Sequence, residues 1–284
     1  MLSTLRYGRV LKRTHYRVQR ISNARLATTS SNPGGFNFDA FVGSLGNDSE
    51  DTNVDGSDAH FDVAIIGGGS GGMAASFEAS RLGLKTILFD HVDATPSGNT
   101  WDVGGTCVNV GCVPKKLFHS AALQMEGLRH AEAMGWTTPP SSSEPTTANW
   151  KALIEGTKKQ IHALNFSYRS ALTEAGVKLV TEHARIDGAD IGNADTPYSI
   201  AYASTDVLSG TQVGEQRVTA DHVIVATGGR PRFPTEISGF EHMIGSDDIF
   251  TLPQAPGRTL CIGAGYISLE CAGFLSGLGF EVDG

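Results

Sequence analysis

Hydrophobic positions fall into two rhythms along this chain, and both become legible from Phe61 onward. Phe61-Asp62-Val63-Ala64-Ile65-Ile66 is a short β-branched run of the kind that fills a buried parallel strand. Met73 to Leu82 has helix-forming composition, and Lys85-Thr86-Ile87-Leu88-Phe89 predicts a second strand. Helical patterns return from about Pro114 to Ala133 and from Trp150 to Ala175. Between these two, residues 137–149, rich in Pro, Ser and Thr, read as a surface loop. Strand-like runs follow at Val177–Ile186 and Tyr198–Val218, and Asp221–Val225 reads as a final buried strand. Strands alternating with helices predict an α/β fold.

The turn between the first strand and its helix changes this from fold to site. Gly67-Gly68-Gly69-Ser70-Gly71-Gly72 contains the spacing GxGxxG at Gly67, Gly69 and Gly72, and Asp90 stands at the tip of the second strand. Such glycines permit a tight turn and close approach of a pyrophosphate to a helix N-terminus, while Asp90 is placed to accept from a ribose hydroxyl. The order strand, glycines, helix, strand, acid predicts a Rossmann-like dinucleotide site. A second unit of this type appears at Thr259-Leu260-Cys261-Ile262-Gly263-Ala264-Gly265-Tyr266, with Ser268 where a third glycine often stands. Taken alone it also fits an ordinary strand-to-helix turn.

Between the two units lies Gly104-Gly105-Thr106-Cys107-Val108-Asn109-Val110-Gly111-Cys112-Val113-Pro114-Lys115-Lys116. Two cysteines five apart on a regular helix are separated by about 7.5 Å of rise, beyond the roughly 7 Å limit for bridging. Pairing Cys107 with Cys112 therefore requires an irregular helical start, for which Gly105 and Gly111 supply freedom and Pro114 suits the first turn. A thiol at a helix N-terminus near Lys115 and Lys116 is favoured as thiolate. Two structural thiols or half of a metal site are the alternatives; with no CxxC partner and no nearby histidine pair, no metal is expected. Cys261 and Cys271, in apolar surroundings, are expected to be core thiols. Two dinucleotide units around a redox disulfide imply electrons passing from a nicotinamide through a flavin to sulfur.

Composition narrows the setting. The 284 residues are 40% apolar and 18% charged, suiting one large or two ordinary core-forming domains. A net charge of −8 argues against nucleic acid as a partner, and no apolar run is long enough for a membrane span. Residues 1–35 carry Arg6, Arg9, Arg13, Lys12, Arg17, Arg20 and Arg25 without one acid, the signature of an organelle transit peptide, with a disordered basic arm as the alternative. Residues 36–60 turn acidic and read as a flexible linker. A mitochondrial destination is expected, with plastid or cytoplasm as alternatives.

Taken together, GGTCVNVGCVPKK, ATGGRP (residues 226–231), SDDIF (246–250) and GAGYISLE (263–270) resemble, in order and spacing, the pyridine nucleotide–disulfide oxidoreductases. Within them the chain is most similar to the large thioredoxin reductases, from about Asp62 to Phe280. The resemblance implies a doubly wound Rossmann-like FAD-binding domain with a β-meander over 61–230, and the start of a second, NADPH-binding domain over 231–284. It implies Cys107 as the thiol exchanging with substrate, Cys112 as the thiol against the flavin, and Lys115 paired with Glu270. Tyr266 is implied as the ring shielding the flavin. Gly67, Gly69, Ser70, Gly72, Asp90, Gly105, Thr106, Lys116, Ala184, Thr227 and Gly228 are implied at FAD, and Gly263 and Gly265 at NADPH. Thioredoxin is the implied protein substrate and a homodimer the implied assembly.

Two features separate the branches. The thirteen residues HVDATPSGNTWDV between Asp90 and Gly104 resemble the long segment of thioredoxin reductases, where glutathione reductases have only a few. Glutathione reductases carry arginines where this chain has Phe77 and Glu78, and Phe77 has no charge with which to bind a carboxylate. Asn165-Phe166-Ser167-Tyr168-Arg169 and Glu270 to Leu275 also resemble the thioredoxin branch. The family pattern runs on past Gly284 by roughly as much again, through an interface domain and a catalytic histidine. The chain is therefore expected to be the N-terminal half of such an enzyme, binding FAD poorly and inactive when made alone. Glutathione-disulfide reduction and a non-catalytic flavin-binding or interaction module are the alternatives.

Overall fold

The computed structural model describes residues 59–136, 148–188, 197–205 and 212–284. The predicted leader, all but the last two residues of the linker, and residues 137–147 of the predicted loop lie outside these. Strand β1 covers Ala59–Ile66, so Ala59 and His60 belong to the sheet and not to the linker. Their register explains it: Ala59 pairs with Val218 and His60 with Thr219, whose hydroxyl lies 2.9 Å from the His60 ring. Helix α1 (Ser70–Arg81) starts inside the glycine run, and β2 (Thr86–Phe89) returns parallel to β1. The cysteine motif folds into two helices, α2 (Gly105–Asn109) and α3 (Cys112–His130), separated by a break at Val110 and Gly111. Helix α4 (Trp150–Glu174) opens with Asn149, whose side chain accepts from the Ala152 N–H.

The predicted run 177–186 divides. Strand β3 (Lys178–Val180) lies parallel to β2, whereas β4 (Ala184–Gly188) begins an antiparallel meander with β5 (Tyr198–Thr205) and β6 (Gln212–Val225). The sheet order is β3-β2-β1-β6-β5-β4. Strand β6 joins both systems, pairing with β5 up to Ala220 and with β1 from Val218 to Val225. Past Ala220 no β5 partner for it is found among the described residues. Asp221–Val225, expected as a separate buried strand, is instead the exposed end of β6, with Ile224 40% and Val225 63% accessible.

One side of the parallel strands packs Val63, Ile65 and Leu88 against α1 and α4 through Met73, Ala79 and Leu172. In the other cluster Ile87 and Phe89 meet Ile200, Tyr202 and Val218 of the meander, with the Phe89 and Tyr202 rings 5.3 Å apart. Helices therefore cover one side and the meander the other. A third cluster joins α3, α4 and helix α5 (Tyr266–Gly277) around Phe118. Before α5 comes β7 (Thr259–Leu260), paired in parallel with β8 (Val282–Asp283), so the second glycine turn does stand between a strand and a helix. Among the described residues no helix is long and apolar enough to cross a membrane.

Candidate active site

The first glycine turn is fixed by mutual contact. Gly67 has φ +110°, and a Cβ there would run into the Ala226 carbonyl; one on Gly72 would run into the Gly67 carbonyl. Asp90 closes the turn by accepting from the Gly68 N–H at 2.8 Å. Burial pushes the Asp90 carboxyl up, against the Gly68 hydrogen bond and with a further push from the charge of Asp102. The folded chain thus holds that proton more tightly than the unfolded one, and ionised Asp90 lowers stability above its folded-state pKa. The penalty fades as pH falls into the ordinary carboxylate range. Asp90→Asn keeps an acceptor for Gly68 and removes the charge. It is expected to raise the melting temperature at pH 8, with the gain shrinking as the pH is lowered; a drop at pH 8 would refute the burial account.

The cysteine motif docks on this turn. Gly104 N–H donates to the Gly68 carbonyl at 2.9 Å, and a Cβ on Gly105 (φ +66°) would come within 2.5 Å of the Gly69 Cα. Cys107 in α2 and Cys112, the first residue of α3, form a disulfide with Cα atoms 4.6 Å apart. The interrupted helix inferred from their spacing is what brings them together. A Cβ on Gly111 would approach the Thr106 carbonyl to 2.8 Å, so the break itself requires glycine. One turn beyond Cys112, Lys115 Nζ donates to Glu270 Oε1 of α5 at 2.8 Å, joining two motifs 155 residues apart.

A cleft of about 1730 Å³ runs past both glycine turns and the disulfide. It exceeds the ~300–1,000 Å³ of a typical small-ligand pocket, as an extended dinucleotide requires. Gly67, Gly69, Ser70, Asp90, Gly105, Thr106, Cys107, Cys112, Lys115, Ala184, Thr227, Gly228, Gly263, Gly265, Tyr266 and Glu270 all line it. Tyr266 is 74% accessible at the start of α5. Two expected contacts do not line the cleft. Gly72 is buried beneath the turn, where it serves packing, and Lys116 points away as an exposed side chain because its neighbour Lys115 takes the inward position on α3. Of the expected core thiols, Cys271 is buried and pushed up to about 11 by burial. Cys261 is only half-buried and lines the cleft, since it follows β7 at the mouth of the second glycine turn. Among the described residues no cluster suits a metal ion.

Several residues at the cleft entered the sequence reading only within family-like runs, with no role of their own. Arg230 lies over the Trp101 ring at 4.6 Å, donates to the Asp93 carbonyl at 2.9 Å and faces buried Asp247 at 3.5 Å. Burial raises the Asp247 carboxyl and Arg230 opposes it. Buried Asp248 accepts from Thr95 Oγ1 at 2.5 Å and Asn99 Nδ2 at 2.7 Å. The 91–103 segment is thereby clasped to residues 230–248. The sequence marked these positions through the ATGGRP, SDDIF and HVDATPSGNTWDV runs but not through the contacts between them.

The chain matches the family model described as pyridine nucleotide-disulphide oxidoreductase over residues 61–283. The protein named thioredoxin reductase SEP1 from Emiliania huxleyi is 40% identical over 225 residues, covering 79% of this chain and 41% of that protein. Thioredoxin reductase 2, mitochondrial, from Drosophila melanogaster is 40% identical over 221 residues, covering 78% and 40%. The chain spans about two fifths of the length of these curated relatives.

Proposed function

The chain belongs to the pyridine nucleotide-disulphide oxidoreductase family, and we infer from this and from its site that it serves thioredoxin-disulfide reduction, with NADPH as donor and FAD as carrier. The carrying observation is one cleft that holds a glycine turn shaped for a dinucleotide and, hydrogen-bonded to that turn, the Cys107–Cys112 disulfide. Flavin and nicotinamide use accompany the family. The close approach of backbone at Gly67 and Gly105 fits a group that needs a cradle without side chains. When bound, a flavin supplies the two-electron link between nicotinamide and sulfur.

The chain's own groups take the remaining tasks. The N-terminus of α1 would hold a pyrophosphate, and the carboxylate oxygen of Asp90 not bonded to Gly68 would accept from a ribose hydroxyl. Glu270 holds Lys115 at the wall near Cys112, and Tyr266 covers the cleft beside them. With both cysteines reduced, the Cys107 thiolate attacks one sulfur of the substrate disulfide; that bond breaks and the other sulfur leaves as thiolate. Cys112 thiolate then attacks Cys107, releasing the second substrate thiolate and closing the Cys107–Cys112 bond. Two electrons pass to the substrate, whose thiolates take protons from water.

Phe77 and Glu78 favour thioredoxin over glutathione. Phe77 packs partly into the α1–α4 cluster, and the nearby exposed guanidinium of Arg81 is already engaged by Glu78 at 2.8 Å rather than free for a substrate carboxylate. The native protein is expected to show at least tenfold higher kcat/KM, followed as NADPH oxidation, with oxidised thioredoxin than with glutathione disulfide. That factor is about 1.4 kcal/mol of transition-state binding; equal rates would overturn the assignment. The arginine-rich leader and the mitochondrial designation of the Drosophila relative support a mitochondrial site, and the family resemblance supports a homodimer.

A further inference from the structure

The two halves of the disulfide rest on different supports. Cys112 begins a helix of 19 residues that is fixed through Lys115 to α5 and through Phe118 to the aromatic cluster. Cys107 lies in a helix of five residues, too short to hold itself and with no side-chain cap at its N-terminus. Besides the Gly104–Gly68 hydrogen bond to the first glycine turn, its anchorage comes from α4. Asn165, 6% accessible, donates through Nδ2 to the Val103 carbonyl at 2.8 Å and to Asn109 Oδ1 at 2.9 Å. Asn109, 5% accessible, passes this on by donating to the carbonyls of Asp102 and Gly105, each at 2.9 Å. One turn further along α4, Arg169 donates to both oxygens of Asp102 at 2.6 and 2.8 Å.

From this juxtaposition we propose that Asn165 is a positioning residue for the redox disulfide: with Arg169 it locks the lead-in to α2 onto α4 and so keeps Cys107 within reach of Cys112. The proposal rests on the redox reading above. Its physical content is an effective concentration. While α2 is held, the reduced thiols already lie near bonding distance, and little freedom is lost on closure. Once Asn165 is removed, two buried acceptors lose their donor and α2 gains freedom in the reduced state. Disulfide formation then becomes less favourable, although α3 and Cys112 stay in place.

The test is an equilibrium, not a turnover assay. The 284-residue chain is equilibrated in buffers of reduced and oxidised dithiothreitol and its thiols are trapped by alkylation. The 107–112 peptide is then read by mass. Asn165→Leu is expected to lower the equilibrium constant for disulfide formation about tenfold, equivalent to a potential about 30 mV more positive. Arg169→Met should move it the same way by a smaller factor. Arg185→Met, which opens the distant ion-pair cluster with Glu215 and Asp187 on the meander, should leave the constant unchanged. A constant within twofold of wild type in both α4 variants would overturn the proposal even if their melting temperatures fall. Should Asn165→Leu not fold, Arg169→Met, whose side chain is 44% accessible, decides alone. A wild-type couple that fails to exchange at any buffer ratio would instead overturn the redox reading itself.

Discussion

Phe118→Ala is expected to destabilise the folded chain by about 3–5 kcal/mol, the usual range for truncating a fully enclosed phenylalanine. Phe118 has no accessible surface. Its ring meets Trp150 of α4 at 5.4 Å, Phe250 at 5.2 Å and Phe274 of α5 at 5.2 Å, all near edge-to-face. Three elements from different parts of the chain thus converge on one side chain, and rings tied at several points collapse poorly into a cavity. Leu123 on the same helix is 50% accessible, and Leu123→Ala should change stability by no more than about 0.5 kcal/mol. Urea denaturation of both variants checks the contrast. A loss at Phe118 no larger than at Leu123 would mean that the cluster does not hold α3. Because α3 begins with Cys112, the same substitution should also loosen the disulfide from its α5 side.

Much of this site was legible because its signals are local. The β1–glycine–α1–β2 order, the acid at Asp90 and the two-cysteine spacing each lie within a few residues, and the structure places them as that order requires. What sequence reading misses is set by partners distant in the chain. Thr95 and Asp248 lie 153 residues apart, and neither residue type announces the bond between them. Asp221–Val225 has the composition of a buried strand, yet Ile224 and Val225 are exposed and the described pairing of β6 with β5 ends at Ala220, which depends on the meander and not on local composition. Lys115 and Lys116 are identical in type, and only the turn of α3 makes one a cleft residue and the other a solvated one. Asn165 was readable as part of a family-like stretch, yet its meaning depends on carbonyls that α2 presents across a helix interface.

Either cysteine changed to serine is expected to reduce disulfide exchange to background, since the closing step needs both sulfurs; the two variants should nevertheless fail differently. Cys112 is the first residue of a long helix and lies one turn from Lys115, so helix dipole and cation both favour charge on its sulfur. A thiolate stabilised in this way is the poorer attacker and the better leaving group. That leaves Cys107 to open the substrate disulfide, and Cys112 to resolve the mixed disulfide from the cleft side. Accessibility alone would favour the opposite assignment, because Cys112 is the more exposed of the two. Mixing each reduced variant with oxidised thioredoxin and running a non-reducing gel separates the accounts. If charge governs, Cys112→Ser accumulates a stable adduct through Cys107 and Cys107→Ser does not. An adduct that persists only in Cys107→Ser would reverse the roles, showing that access to the sulfur outweighs the field of α3 and Lys115.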